Sequence, residues 1–449
     1  MPPLLVEPLL LEIGNHSVEV AATLIEVGRF LVLFIAARAM AELMARFSLP
    51  TILGELLAGV LIGISGLHLL LPPETGGHIS QWLLELVGSL SGVSAAQVQE
   101  LYNESFPGLQ QVSVLGLYAL LFLTGLESEL EELMAVGAQA ATVAFTGVVL
   151  PFALGTLGLL FFFHLSPILA IFAGAAMTAT SIGITASVFG ELGYLKTREG
   201  QIVIGAAVLD DILGIVILAV VVALAGGDAI SAGPILKLLA AAVVFVAAAL
   251  FLSRTAAPAF DWLIDHLKAP GEVPVAAFVV LSLCCFAAQA IGLEAALGAF
   301  AAGLILSASK HTKAIQETVQ PLVALFATVF FVLIGTGMDL SVLNPFDPAN
   351  REGLVVALFL LVVAIVGKVA AGWGYISRQP TDRLLVGLGM LPRGEVGLIF
   401  LGLGSQAGLL PPSLEAGILL MVIGTTFLAP LLLRLVLSSR ATAAAEPSP

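Results

Sequence analysis

Apolar runs of about 20 residues, parted by short charged or proline- and glycine-bearing breaks, recur along most of this 449-residue chain. A run of that length crosses the hydrocarbon core of a bilayer as a single helix. Backbone groups there find no water, so a spanning segment must satisfy its own hydrogen bonds. Thirteen such helices are predicted, near 22–45, 49–70, 108–126, 137–162, 166–190, 199–226, 234–253, 272–292, 294–308, 319–338, 353–377, 382–407 and 414–437. The composition agrees: 59% of residues are apolar and only 11% charged, against about 45–50% and about 25% in an ordinary soluble chain. A soluble enzyme, a disordered chain and a nucleic-acid binder are excluded. The expected fold class is an all-α polytopic membrane protein with the lipid bilayer as its solvent.

Several features lead nowhere. The first apolar run, Leu4 to Ile13, is too short to span, and no basic start or cleavage pattern marks a signal peptide. Cys284 and Cys285 are neighbours in an apolar run, where disulfide geometry is rarely met and no metal spacing surrounds them. The six histidines form no close ligand pair. A resident metal or cofactor has no support.

Orientation follows from counting basic residues loop by loop. With the N-terminus outside, the cytoplasmic loops and tail hold Arg46, Lys196, Arg198, Arg254, Lys268, Lys310, Lys313, Arg378, Arg383, Arg434 and Arg440, and the opposite loops hold Arg351. The segment 72–107 has no Lys or Arg but carries Glu74, Glu85, Glu100 and Glu104. An N-terminus outside and a C-terminus inside are therefore expected. The acidic run Glu127–Glu132 falls on the inside without altering this, because acidic residues contribute little to orientation.

An internal repeat is also present. Leu53-Gly54-Glu55-Leu56-Leu57-Ala58-Gly59 reads against Leu297-Gly298-Ala299-Phe300-Ala301-Ala302-Gly303, and Phe122-Leu123-Thr124-Gly125 against Val332-Leu333-Ile334-Gly335. The matched helices lie seven spans apart and so run in opposite directions. Inverted halves of this kind build secondary transporters, with the site at the midplane, although small-xxx-small patterns also recur in membrane helices for packing alone.

Four clusters of polar groups interrupt the apolar runs, where an ionised residue costs at least about 2.5–3.5 kcal/mol. Asp210-Asp211 lies eleven residues into one span. Adjacent helical residues point about 100° apart, so one carboxylate can face a cation path while the other holds a structural partner. Lys368 lies deep in another span. A buried ammonium without a partner sheds its proton, and one of the aspartates is its natural partner; the alternative is snorkelling to an interface. Pro392-Arg393-Gly394-Glu395 breaks a third run, which is tolerated where backbone is buried in protein or lines a water-filled cavity. Arg393 and Glu395 can be ligands or a salt-bridged kink. Thr178, Thr180, Ser181 and Thr185, following Pro167, suggest a second unwound helix whose hydroxyls and carbonyls could ligate a dehydrated sodium ion. Hydroxyls bonded back to their own helix are the plainer reading. Two broken helices, a buried cation and an acidic pair describe an ion-coupled carrier for a small cation.

The combination of Thr178–Thr185, Asp210-Asp211, Lys368 and Pro392–Gly397 resembles the bacterial sodium/proton antiporters of the second monovalent cation:proton antiporter family, NapA-type rather than Kef-type. The resemblance implies thirteen helices and two crossed broken helices in inverted repeats. It implies a homodimer in a bacterial inner membrane, working by an elevator-like movement. It further implies scaffold and dimerisation parts in 20–110 and 230–310, an ion-translocating core in 111–228 and 319–437, and a short cytoplasmic tail at 438–449. By the same likeness Asp211 binds the sodium (or lithium) ion, Asp210 pairs with Lys368, and Thr178, Thr180 and Ser181 lie near the ion. Arg393 and Glu395 support the core or its pH response. Kef-type relatives carry Gln-Asp in place of Asp-Asp and often a cytosolic nucleotide-binding domain, so a potassium/proton antiporter of that branch is the alternative.

The exchange expected is competition at Asp211 between a cation and protons, without a cofactor. It is electrogenic if Lys368 also releases a proton. A channel would need multi-site conduction, and an ion-coupled symporter remains a further alternative. An intramembrane aspartyl protease would need two aspartates on separate helices, yet Gly335-Thr336-Gly337-Met338-Asp339 misses the GxGD spacing by one residue.

Overall fold

The apolar runs fold as helices. In this computed structural model the described residues are 6–47, 49–128, 130–225, 232–267, 271–343, 350–375, 380–393, 397, 400–401 and 410–445, and none of them forms a strand. Among the described residues, eight helices are long and apolar enough to cross a membrane, and four shorter apolar helices add to them. In chain order the helices are α1 (Val6–Arg46), α2 (Thr51–Ile62), α3 (Gln81–Ser91), α4 (Ala95–Glu127), α5 (Leu130–Ala135), α6 (Gly137–Phe161), α7 (Pro167–Ala176), α8 (Ile182–Glu191) and α9 (Arg198–Ala225). They continue with α10 (Ala232–Thr255), α11 (Ala257–His266), α12 (Glu272–Ala290), α13 (Ala295–Leu306), α14 (Thr312–Thr336), α15 (Asn350–Ala371), α16 (Arg383–Gly389) and α17 (Pro412–Ala445).

Two departures from the expected spans have clear causes. The run expected over 166–190 is two helices, α7 and α8, because the hydroxyl-rich stretch between them leaves the helical path. Thr178 Oγ1 bonds back to the Ala175 carbonyl at 2.8 Å, and Ser181 caps α8 by accepting from the Ile184 N–H. Such side chains compete with the helix for its own backbone groups. The span expected over 49–70 ends at Ile62, where the chain turns back and the Leu67, Leu69 and Leu70 N–H groups donate to the Leu61 and Ile62 carbonyls.

The chain divides into two compact units. The first comprises 1–116 and 325–341. There α1 packs on α2 and α3 around a core that includes Leu33, Ile62, Tyr102, Phe106 and Val332. α2 crosses the end of α14 so closely that a Cβ on Gly59 would sit 2.8 Å from the Gly335 Cα. The second comprises 117–324 and 342–449, where α15 packs on α6 and α17, and α6 on α9. Here α13 crosses the end of α4, and a Cβ on Gly303 would lie 2.9 Å from the Gly125 Cα.

These two crossings are the structural form of the sequence repeat. Each LGxxxAG helix meets the glycine-ended motif of the opposite half: Gly59 of the first half meets Val332–Gly335, and Gly303 of the second meets Phe122–Gly125. Small residues let backbones approach where lipid offers no hydrophobic drive for association.

Candidate ion-binding site

The site is built in the second unit from α9, α15 and two interrupted helices. α9 carries Asp210 and Asp211 midway along its length. α15 carries Lys368, and glycines make room for it: a Cβ on Gly147 of α6 would lie 3.6 Å from Lys368 Nζ, and one on Gly367 would lie 3.0 Å from the Pro151 N. α6 and α15 therefore meet nearly backbone to backbone beside the ammonium.

The first interruption is residues 177–181, between α7 and α8; the second begins at Met390, where α16 ends. They bind each other. The Ser181 N–H donates to the Pro392 carbonyl at 2.9 Å, Thr180 Oγ1 to the Met390 carbonyl at 3.1 Å, and Thr185 Oγ1 to the Gly389 carbonyl at 3.0 Å. Arg393 reaches back to donate to the Ala179 carbonyl. Its own carbonyl accepts from Thr426 Oγ1 on α17 at 2.6 Å. Backbone groups freed by breaking two helices in an apolar interior are thus satisfied by the partner break and by threonine hydroxyls. Thr426 was not among the sequence candidates: the pair Thr425-Thr426 in an apolar span carries no sign of a partner 33 positions away.

Lys368 Nζ donates to Asp210 Oδ2 at 2.9 Å and to Thr180 Oγ1 at 2.7 Å. Both members of the ion pair have 0% exposure, so Lys368 does not snorkel. Asp211 is also buried, at 7%, and belongs to a different face of α9, as the 100° step between neighbours requires. Arg393 is 1% exposed. Two carboxylates and two cations thus meet among the described residues of a crossing that is otherwise apolar and hydroxyl-lined. Thr180, Ser181 and Thr178 are all buried there. Thr180 is engaged by Lys368, Ser181 by the start of α8, and Thr178 by its own helix. Glu395 lies outside the described residues.

An acidic pair, a buried lysine and two crossed, broken helices define an ion-coupled secondary carrier. The chain belongs to the sodium/hydrogen exchanger transmembrane family, whose pattern matches residues 30–439. It is 46% identical over 406 residues to the high-affinity Na+/H+ antiporter NhaS3 of Synechocystis sp., covering 90% of this chain and 88% of that one. It is 30% identical to the Na+/H+-K+ antiporter GerN of Bacillus cereus, covering 88% and 91%. A solved structure of the sodium proton antiporter MjNhaP1 from Methanocaldococcus jannaschii matches 94% of this chain and 99% of its own, with a TM-score of 0.65 at 17% identity. That is a likeness of fold.

Proposed function

We propose that Asp211 carries the transported sodium ion or, in its absence, a proton, and that the Lys368–Asp210 pair balances the charge beside it. The protein exchanges sodium for protons across a membrane. It is a transporter and not an enzyme, and the ions are its substrates, with no cofactor. The observation that carries the reading of the site is the unexposed Lys368–Asp210 pair, held by Thr180 where the two breaks cross.

A sodium ion entering this crossing adds a charge to a region that, with Asp211 protonated, already holds one carboxylate, Asp210, and two cations, Lys368 and Arg393. It is accommodated only if protons leave. Asp211 supplies one proton, because a carboxylate that ligates the cation cannot keep its proton. If sodium also draws Asp210 away from Lys368, the lysine releases a second, and exchange of two protons for one sodium is electrogenic. The titration then belongs to the coupled group and not to one residue. Carbonyls and hydroxyls of the 177–181 break supply oxygen ligands once the ion is dehydrated. Arg393, bonded to the Ala179 carbonyl, steadies the break, and Glu395 is assigned to the same support or to the pH response.

At larger scale we assign the N-terminus to the outside and the C-terminus to the cytoplasm of a bacterial inner membrane, as the basic loops require. The working form is a homodimer in which a core built from 111–228 and 319–437 moves as an elevator against a scaffold built from 20–110 and 230–310.

Proteoliposomes with an acid interior and a pH-sensitive dye test the site. Sodium or lithium should collapse the gradient in the wild type, and Asp211→Asn should abolish the response while folding normally. A response to potassium alone would move the substrate to the Kef-like alternative. A full sodium response in Asp211→Asn would overturn the assignment.

A further inference from the structure

Five charged side chains are buried among the described residues, and four of them form the ion site. The fifth, Arg29, belongs to the first unit and takes no part in the exchange. It lies on α1 at 5% exposure. Its guanidinium rests over the Tyr102 ring, 3.9 Å from the centroid, and 5.3 Å from that of Phe106. NH1 donates to Ser105 Oγ at 3.0 Å, and NH2 donates to the Tyr102 carbonyl. Its Nε has no acceptor, and no carboxylate pairs with it among the described residues. Glu26, one turn earlier on the same helix, attracts it only from an exposed position. An ionised group inside a spanning helix marks a functional site and calls for a partner. Ring faces and neutral oxygens leave its charge uncancelled.

Arg29 and Tyr102 line a cavity of about 250 Å³ whose other lining residues are all apolar. Its open side is formed by Leu31 of α1 and by Trp82, Leu86 and Leu90 of α3. These are 59%, 56%, 46% and 63% exposed. On α3 the three residues recur every fourth position, giving one apolar stripe on an amphipathic helix, the pattern of a helix lying in a membrane interface. The depth agrees. Arg29 lies 17 residues before Arg46 at the end of α1, hence about 25 Å along the axis and near the far edge of a hydrocarbon layer about 30 Å thick. A tryptophan at that level is typical of the interfacial aromatic belt.

We propose that this cavity binds an anionic phospholipid from the leaflet on the N-terminal side. Its acyl chain lies along Leu31, Trp82, Leu86 and Leu90, and its phosphate is held by the uncompensated charge of Arg29. The charge makes the site selective: a zwitterionic lipid offers the same chain with a neutral headgroup.

Trp82 reports occupancy directly. In full-length protein carrying Trp262→Phe and Trp373→Phe, it is the remaining tryptophan. Reconstitution into vesicles mixing unlabelled lipid with dibrominated phosphatidylglycerol, or with dibrominated phosphatidylcholine, compares the two headgroups by quenching. The expected result is half-quenching by the brominated phosphatidylglycerol at about fivefold lower mole fraction, the preference that about 1 kcal/mol per basic residue near the surface produces. Arg29→Gln should equalise the two lipids and Arg29→Lys should retain the preference. Sodium-driven proton exchange in each variant verifies folding. Equal quenching before Arg29 is changed overturns the proposal, as does a preference that survives Arg29→Gln. Absence of quenching by either lipid, the sign of a second protein copy covering the cavity, overturns it as well.

Discussion

At the scale of the residue, Lys368 and Asp210 hold each other in a place neither could occupy alone. Removing one member of a buried pair leaves an uncompensated charge and costs about 3–5 kcal/mol. Asp210→Ala should therefore lower the thermal midpoint in detergent sharply, and Asp210→Ala with Lys368→Met should restore much of the loss. Lys368→Gln separates stability from coupling. If the lysine carries the second proton, exchange in that variant becomes insensitive to a potassium diffusion potential that alters the wild-type rate. Asp210, Asp211 and Lys368 were legible because ionised groups stand out inside apolar runs. Arg29 and Glu55 fall within the expected spans 22–45 and 49–70 and meet the same criterion, yet neither was singled out. Glu55 is the single charge of its run, and Arg29 shares its run with Glu26, Arg38 and Glu42 in no local pattern that marks a buried site. Glu55 accepts from Thr328 Oγ1 at 2.7 Å, a partner 273 positions away that no local pattern announces.

At the scale of the element, interruption and close approach shape the fold. The 177–181 break was foreseeable from its hydroxyls and its crossing of the second break from the family likeness, but the bonds between the two were not, because the Ser181–Pro392 bond joins segments more than 200 positions apart. The glycine crossings make a sharper test. Gly303→Ala should destabilise by about 1–3 kcal/mol, the usual range for overpacking, since its Cβ meets the backbone of α4. Gly108→Ala, also helical but with nothing within 4 Å of its Cβ, should stabilise by about 0.5–1 kcal/mol through backbone entropy. Thermal midpoints of the two variants decide this.

A second element-level device joins α11 to the turn before α14. Ser309 Oγ donates to Asp261 Oδ1 at 2.5 Å, and Lys310 Nζ pairs with Asp265 Oδ2 at 2.5 Å. The Lys310 ammonium holds the Asp265 carboxyl below the usual carboxylate range. A carboxyl lowered on folding stabilises the native state above its unfolded value and loses that contribution as pH falls through the folded one. Wild type should therefore lose more of its thermal midpoint on acidification from neutral pH than Asp265→Asn does, with the two converging at acid pH. The pair is exposed, so the difference should be small and should shrink further in salt.

At the scale of the whole molecule, orientation is the property most open to direct test. With Cys284 and Cys285 replaced, Ser89→Cys on α3 should react with a membrane-impermeant maleimide on intact cells, and Lys313→Cys at the start of α14 only after permeabilisation. The reverse pattern would invert the assigned topology. Length, hydropathy and the rarity of charge determined by themselves that this chain is a bundle of membrane helices with a polar centre, because lipid admits no other backbone arrangement for such runs. The repeat and the mid-span charges were likewise fully local in sequence. The choice of Asp210 rather than Asp211 as partner of Lys368 was left open by the residues and implied only by the family likeness. Two things were decided only by tertiary structure: each LGxxxAG helix pairs with the motif of the opposite half, and Arg29 lies buried beneath an apolar cavity. A helix sequence states which side chains share a face. The helix that meets that face is selected by packing between segments distant in the chain.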